Sequence, residues 1–228
     1  MRPIDWQQID TVLLDMDGTL LDLHFDNYFW LEHLPEQYAR HKGLNKADAL
    51  AELSSSFVGL RGTLNWYCLD FWSELTGLPI VELKKDVADK IGFRPYVREF
   101  LNTLAQLGKR RVIVTNAHRD SVDLKLHHTG LDQYVDRIIS SHDYREPKEQ
   151  QAFWNHLLQD EPFDRQRTLL IDDSLAVLES AQRWGIHYLL AIHHPDSERE
   201  PISQDQFPGI HHFDELIFDS QDAADRDD

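Results

Sequence analysis

The segment Thr11-Val-Leu-Leu-Asp15-Met-Asp17-Gly-Thr-Leu20 decides the fold of this chain. Its first half is a short, continuous run of aliphatic and β-branched residues, which is typical of a parallel strand buried on both faces. Two carboxylates separated by one residue follow directly, and Gly18 permits the tight turn by which the chain leaves the strand. The segment therefore predicts a buried strand that delivers two acidic side chains to one edge of a sheet.

Four further runs of the same kind follow along the chain: Arg111–Thr115, Arg137–Ser140, Thr168–Asp172 and Tyr188–Ile192. Between them, apolar residues at helical spacing predict helices over 97–108, 121–130, 148–158 and 175–184. Ser121 is a candidate N-cap for the second of these helices. Strands that alternate with helices in this way indicate an α/β fold with a doubly wound parallel sheet.

A long insert interrupts this pattern between the first strand and the next helix. It is far longer than a normal crossover needs and carries no strong strand signal. Apolar residues recur at helical spacing in two stretches, from Leu64 to Leu75 and from Ile80 to Ile91. The predicted organisation is an α/β core over 1–21 and 94–219, a helical cap over 22–93 and a disordered acidic tail over 220–228.

The charge balance narrows the class of function. The chain of 228 residues carries 23 lysines and arginines against 40 aspartates and glutamates, a net charge of −17. Such a surface repels nucleic acid and anionic membranes, so neither is an expected partner. It also repels a phosphorylated small molecule, and a site for one would need a local cation.

Cysteine content and hydropathy point to the cytoplasm as the expected location. Cys68 is the single cysteine, so no intrachain disulfide forms, and we expect it to be a small buried apolar residue. No apolar run approaches the length of a membrane span. The first residues lack the basic and apolar regions of a signal peptide.

Polar residues at the ends of the predicted strands indicate one shared site. Asp15, Thr115 and the pair Asp172-Asp173 each end a different strand, and these ends line one crevice in an open parallel sheet. Asp15 and Asp17 repel one another unless a cation neutralises them, which suits a nucleophile beside a general acid–base. A surface turn or a calcium loop is the alternative, but the leucines that follow supply no calcium ligands.

The motifs resemble those of the haloacid dehalogenase superfamily, in its large phosphatase branch. The first motif is Asp15 to Thr19, the second is Thr115-Asn116, the third is Lys148 and the fourth is Asp172-Asp173-Ser174. They occur in the order of that family, and the insert follows the first motif directly, as the helical cap does there. The resemblance covers nearly the whole chain and implies a Rossmann-like core beneath a small helical cap.

The resemblance also implies an activity. It is the hydrolysis of a phosphate monoester through an aspartyl-phosphate intermediate, with Mg²⁺ as the cofactor. Asp15 would attack phosphorus, while Asp17 would protonate the leaving oxygen and later deprotonate the hydrolytic water. Thr115 and the Asn116 backbone would hold phosphoryl oxygens, and Lys148 would offset the charge that the phosphate shares with Asp15.

The Mg²⁺ ligands that the resemblance implies are Asp15, the Asp17 carbonyl and Asp173. Asp172 has two open roles, as a direct ligand or as a residue behind the ligands, because the family more often has glycine or glutamate there. The family often carries a further acid four residues after the metal-binding aspartate of the fourth motif, where this chain has Val177. Metal affinity would then depend more on Asp172.

The cap would select the substrate. Arg61, Asn65, Trp66 and Tyr67 form one aromatic and polar cluster there, and aromatic rings stack on bases while arginine pairs with polar edges. The overall arrangement also resembles small bacterial purine nucleotidases that act on GMP and IMP. A purine nucleoside monophosphate is therefore the favoured partner, and packing within the cap is the alternative role for the aromatic residues.

Other functions stay open on the sequence alone. A dehalogenase of the same family would lack the second acid, Asp17, so the sequence disfavours it. A sugar-phosphate phosphatase or a phosphomutase would differ only in the cap. A non-enzymatic phospho-receiver also places Asp, Thr and Lys at strand ends, but it is much shorter and has no cap.

The adjacent histidine pairs lack metal-binding spacing, so solvated or capping roles are expected for them. The oligomeric state stays open.

Overall fold

The centre of the fold is a parallel sheet of six strands in the order β3-β2-β1-β4-β5-β6. The structure is a computed structural model that describes residues 4–202 and 206–217. The strands are β1 (Thr11–Leu14), β2 (Arg110–Thr115), β3 (Arg137–Ser140), β4 (Thr168–Asp172), β5 (Tyr188–Ile192) and β6 (Gly209–Ile210). This order confirms the predicted doubly wound fold, and the direction of winding switches between β1 and β4.

The first strand lies in the middle of the sheet, with β2 on one side and β4 on the other. All four of its residues are buried, which explains why its sequence is continuously apolar rather than alternating. Its side chains divide between the two faces, because Val12 and Leu14 join one apolar cluster and Leu13 joins the other. The sixth strand was not predicted, because two residues carry no periodicity.

Ten α-helices occur in the described residues, and the sequence predicted most of those in the core. They are α1 (His24–Tyr28), α2 (Leu34–Lys42), α3 (Lys46–Ser56), α4 (Leu64–Tyr67), α5 (Leu69–Thr76), α6 (Ile80–Lys85), α7 (Val97–Gln106), α8 (Arg119–Thr129), α9 (Gln151–Asp160) and α10 (Leu175–Trp184). None of the described helices is long and apolar enough to cross a membrane. The predicted tail over 220–228 lies outside the described residues.

The first six helices lie within residues 22–93, the segment that was predicted to be a cap and is called the cap in this article. They differ from the predicted helical stretches in two places. In the stretch from Ile80 to Ile91, α6 ends at Lys85 and a 3-10 turn follows at Ala88–Lys90. The stretch from Leu64 to Leu75 was expected to be one helix, but it breaks at Cys68. The Cys68 backbone is extended, with φ of −85° and ψ of 113°, so α4 ends before it and α5 begins after it. Cys68 is half-buried, so the expectation of a fully buried residue is wrong.

The predicted N-cap of α8 is wrong. The helix begins at Arg119, so Ser121 lies in the first turn, where it is buried. His118 is the N-cap, and its ring nitrogen Nδ1 accepts a hydrogen bond from the Asp120 amide at 3.4 Å. Histidine is not among the favoured N-cap residues, which is why the sequence pointed to the serine instead.

Two neighbouring chain segments connect the cap to the core. Leu21 and Phe93 form an antiparallel bridge. Next to it, the amide of Asp22 donates a hydrogen bond to the Gly92 carbonyl at 2.9 Å. The two connections are therefore paired, and the chain enters and leaves the cap at one place.

Arg94 secures this junction from inside the core. Its side chain is buried, and its guanidinium donates hydrogen bonds to the carbonyls of Thr19 at 2.9 Å, His194 at 2.9 Å and His211 at 2.6 Å. The three carbonyls belong to three separate loops. One side chain therefore satisfies backbone acceptors that would otherwise be buried without partners.

Replacement of this arginine tests the junction. Arg94→Met keeps much of the apolar stem but leaves three buried carbonyls without their donor, so we expect a loss of roughly 3 kcal/mol in the free energy of unfolding. Urea denaturation followed by circular dichroism measures it. Arg98→Met is the matched control, since Arg98 is exposed and only packs over the Phe93 ring. Similar, small losses in both variants would contradict the role of Arg94.

Candidate active site

The predicted acidic residues meet at the point where the sheet changes its direction of winding. Carboxylate oxygens of Asp15, Asp172 and Asp173 all lie within 4.8 Å of one another. Asp15 follows β1 directly, and its amide donates to the Ile171 carbonyl of β4 at 2.9 Å, which fixes the two strand ends side by side. The sheet itself therefore brings these carboxylates together.

Lys148 is buried at the centre of this cluster. Its ammonium Nζ lies 2.5 Å from Asp15 Oδ1 and 2.7 Å from Asp172 Oδ2, and it also donates to the Val114 carbonyl at 3.0 Å. The Asn116 side chain accepts a hydrogen bond from the Lys148 amide at 2.9 Å and so positions the residue. Burial alone would lower the pKa of Lys148, but the two carboxylates raise it, so the ammonium stays charged.

The two acids of the first motif have raised pKa values. Burial raises the pKa of Asp15 to about 6; Lys148 opposes this shift and Asp172 adds to it. Burial likewise raises the pKa of Asp17 to about 6, against the effect of Lys125. Each acid therefore changes its charge much closer to neutral pH than an exposed aspartate does.

Gly18 allows the turn to approach the fourth motif. Its φ is +80°, and a Cβ at this position would lie 2.5 Å from Asp173 Oδ2. Any side chain here would both strain the backbone and displace the Asp173 carboxylate. The glycine of the first motif is therefore required by the site as well as by the turn.

The second motif lies at the end of β2 and faces the same cavity. The hydroxyl oxygen of Thr115 accepts a hydrogen bond from the Ala117 amide at 3.0 Å, which leaves its proton free to be donated. The Asn116 side chain donates to Glu149 Oε2 at 3.0 Å, and Glu149 Oε1 accepts from the Tyr67 hydroxyl at 2.6 Å. These bonds link the phosphate-binding candidates of the core to the cap.

A second buried ion network was missed by the sequence analysis. Lys125 Nζ lies 2.6 Å from Asp17 Oδ1 and 2.6 Å from Asp26 Oδ2, and Lys84 Nζ lies 2.7 Å from Asp26 Oδ1. Both ammonium groups stand over the Phe25 ring, at 5.2 and 4.7 Å. The only sequence signal was a lysine on the buried face of a predicted helix. The network ties Asp17 to two helices of the cap.

Three of the four cap residues that were predicted to select a substrate line the cavity. The cavity above the acids has a volume of about 430 Å³, and Arg61, Trp66 and Tyr67 are among the residues that line it. The Arg61 guanidinium lies 5.6 Å from the centre of the Trp66 ring. Trp72 is buried, packs against the Trp66 ring and also lines the cavity, so substrate selection by this cluster stays a prediction. Asn65 is exposed and is not part of the lining.

Comparison with protein families shows the family to which this chain belongs. Residues 12–191 match the model of the family described as haloacid dehalogenase-like hydrolase. The chain belongs to this family. This hydrolase is 41% identical to the GMP/IMP nucleotidase YrfG of Escherichia coli (strain K12). The match covers 94% of this chain and 96% of that protein. A nucleotidase of the same name from Shigella flexneri shows the same identity.

Solved structures share the fold of this hydrolase. A haloacid dehalogenase-family phosphatase from Thermococcus onnurineus has a TM-score of 0.75 at 23% identity and covers 91% of this chain and 96% of its own. An L-2-haloacid dehalogenase from Xanthobacter autotrophicus, with chloropropionic acid covalently bound, has a TM-score of 0.54 at 16% identity, with coverage of 83% and 80%. These structural matches confirm the fold, and the family match with the two sequence relatives confirms the prediction of an enzyme of the phosphoric monoester hydrolase class.

The crowding of acids predicts a pH-dependent stability. Burial, Asp15 and Asp172 raise the pKa of Asp173 well above its usual value, so the folded state holds a proton that the unfolded state releases. Stability therefore falls as the pH rises from the ordinary aspartate pKa through the raised one. Asp173→Asn removes this cost, and in a metal chelator we expect it to raise Tm more at pH 8 than at pH 5.

Differential scanning fluorimetry at both pH values measures this effect. The matched control is Asp132→Asn, because Asp132 is exposed and lies outside the acidic cluster. It should leave Tm unchanged at both pH values. Equal shifts of Tm at pH 5 and pH 8 in Asp173→Asn would show that like-charge crowding is not the cause.

Proposed function

We propose that this hydrolase removes phosphate from purine nucleoside monophosphates, with Asp15 as the nucleophile and Mg²⁺ as the cofactor. The observation that carries the proposal is the position of Asp15, held by Lys148 beneath a cavity whose cap side offers Arg61 and Trp66. The relative named for GMP and IMP supports the substrate class.

In the first step, Asp15 attacks phosphorus. Lys148 binds Oδ1 of Asp15, which leaves Oδ2 as the attacking atom. The new bond joins Oδ2 to phosphorus, and the bond between phosphorus and the ester oxygen breaks. Asp17 gives its proton to that leaving oxygen; Lys125 occupies its Oδ1, so Oδ2 serves as the donor. A pKa of about 6 leaves a usable protonated fraction of Asp17 near neutral pH.

In the second step, water breaks the aspartyl-phosphate. The Asp17 carboxylate accepts a proton from the water as its oxygen attacks phosphorus. The bond between phosphorus and Asp15 then breaks, inorganic phosphate leaves, and both acids return to their starting states. The Thr115 hydroxyl and the Asn116 backbone amide are the donors for phosphoryl oxygens during both steps, while the Lys148 ammonium offsets the negative charge that the phosphate shares with Asp15.

The residues present fit a magnesium ion. Asp15 and Asp173 offer carboxylate oxygens within 4.8 Å of each other, and hard oxygen ligands are what Mg²⁺ prefers. The Asp17 carbonyl is the third proposed protein ligand. Asp172 has both oxygens engaged, by Lys148 and by the Ser174 amide at 2.9 Å, which favours a role behind the ligands. When bound, the ion supplies the positive charge that lets an anionic phosphate approach the acids.

The nucleophile is tested by Asp15→Asn. An amide nitrogen does not attack phosphorus, so we expect kcat for phosphate release from IMP to fall more than about a hundredfold, with the circular dichroism spectrum retained. Wild-type protein should also lose activity in excess EDTA and regain it with Mg²⁺. Asp132→Asn is the control and should keep the wild-type rate. A residual rate above about one hundredth in Asp15→Asn would exclude covalent catalysis at this residue.

The substrate class is tested by Arg61→Ala. If Arg61 and Trp66 hold the base, the substitution should lower kcat/KM for GMP and IMP by roughly tenfold and leave p-nitrophenyl phosphate nearly unchanged. Arg40→Ala is the matched control, because Arg40 is also an exposed cap arginine but does not line the cavity. An equal loss on both substrates would mean that Arg61 serves the phosphate site, and no loss on either would exclude it from substrate recognition.

A further inference from the structure

Three residues of metal-binding types meet at the boundary between cap and core, outside the acidic cluster. Cys68 lies in the cap between α4 and α5, His118 caps α8 after β2, and His142 lies in a 3-10 turn (Ser141–Asp143) after β3. One ligand atom of each residue lies within 4.8 Å of the corresponding atoms of the other two. The residues are far apart in sequence, so only the folded chain with its cap in place assembles them.

His142 has an available ring nitrogen. Its Nε2 is buried and has no hydrogen-bond partner among the described residues, which is a cost unless something else binds it. The ring packs edge-on against His118, with centroids 4.9 Å apart and planes at 78°. Burial and the neighbouring His118 lower the pKa of His142 to about 4, so at neutral pH the ring is uncharged and its lone pair is free.

The donor set selects a borderline-soft cation. A thiolate and two imidazoles suit Zn²⁺, whereas Mg²⁺ prefers the oxygen ligands of the acidic cluster. Zinc binds sulfur at about 2.3 Å and nitrogen at about 2.0–2.1 Å, and the three donor atoms lie within 4.8 Å of one another around the place that the ion would take. Asp70, whose carboxylate lies 3.6 Å from His118 Nε2, or a water molecule can complete the tetrahedron.

We propose that Cys68, His118 and His142 bind one Zn²⁺ ion and thereby tie the cap to the core. Binding converts the Cys68 thiol to a thiolate and releases its proton to solvent. Packing of two histidines against a small apolar cysteine is the alternative role for these residues. That alternative leaves the buried Nε2 of His142 unexplained.

The site lies next to the proposed substrate cavity. His118 lines that cavity, and so do Tyr67 and Leu69, the residues on either side of Cys68. An ion shared between cap and core would resist separation of the two at the cavity. We therefore expect bound Zn²⁺ to slow turnover. This consequence rests on the proposed function, while the metal site itself does not.

Cobalt spectroscopy of the full chain tests the site without an activity assay. Cobalt(II) bound to a thiolate in a tetrahedral site gives a sulfur-to-metal charge-transfer band, and Cys68 is the single cysteine, so the band reports this site alone. Metal-free protein titrated with Co²⁺ should show the band at one equivalent, and Zn²⁺ should displace it. Asp173→Asn, which alters the acidic cluster, should keep the band.

Substitutions of the proposed ligands distinguish metal binding from a packing role of these residues. Cys68→Ser should abolish the band, and His142→Ala should weaken Co²⁺ and Zn²⁺ binding at least tenfold. The control is His128→Ala, because His128 is exposed, and it should bind like wild type. Circular dichroism checks folding, and the isosteric Cys68→Ser carries the test if His142→Ala misfolds. Absence of the band in wild-type protein, or its persistence in Cys68→Ser, would overturn the proposal.

Activity assays address the consequence separately. At saturating Mg²⁺, Zn²⁺ should reduce kcat of the wild type severalfold, and Cys68→Ser should resist this inhibition. If Zn²⁺ binds and kcat is unchanged, the metal site is retained, but the inference that the ion slows turnover by tying the cap to the core is overturned. Equal inhibition of wild type and Cys68→Ser would also overturn this inference, because it would place the inhibitory ion at the acidic cluster.

Discussion

The ion pairs between buried Lys148 and the carboxylates of Asp15 and Asp172 are the interaction on which the site depends. One ammonium faces three acids, since Asp173 completes the cluster. Like charges this close raise each other's pKa values, and the lysine compensates for only part of the repulsion. The site is consequently short of positive charge, and the Mg²⁺ ion that we propose would supply the charge that an anionic substrate needs there. The same lysine fixes which oxygen of Asp15 is free.

Asp17 is held by a different cation, and this separates the two acids of the first motif. Lys125 binds Asp17, and Asp26 connects Lys125 to Lys84 of the cap. Two lysines and two aspartates balance their charges in a place that water hardly reaches, so removing one partner would leave a buried charge uncompensated. The cap is thus coupled to the residue that we assign to proton transfer, and cap position and protonation of Asp17 are parts of one electrostatic unit.

The pattern of apolar residues along the chain predicted the buried strands, because their composition depends on local sequence alone. The strands at Arg137, Thr168 and Tyr188 have the predicted bounds, because a strand buried on both faces must be apolar throughout. Parallel strands then bring their ends together, so the acidic cluster followed from the sheet. Lys125 and the cluster of Cys68 with two histidines were not predicted, because each depends on contacts between distant segments. The domain division at 22 and 93 and the cytoplasmic location stay proposals.

The paired connections of the cap have a consequence for how such an enzyme can change. Because Leu21 and Phe93 form a bridge, the two ends of the insert already meet in the core. A shorter or longer insert would meet the same two ends, and closing a loop between them costs little extra as its length grows. The cap is in this sense an exchangeable module. A replacement cap would have to supply a new partner for Lys125, because Asp26 of the present cap connects this lysine to the network that holds Asp17.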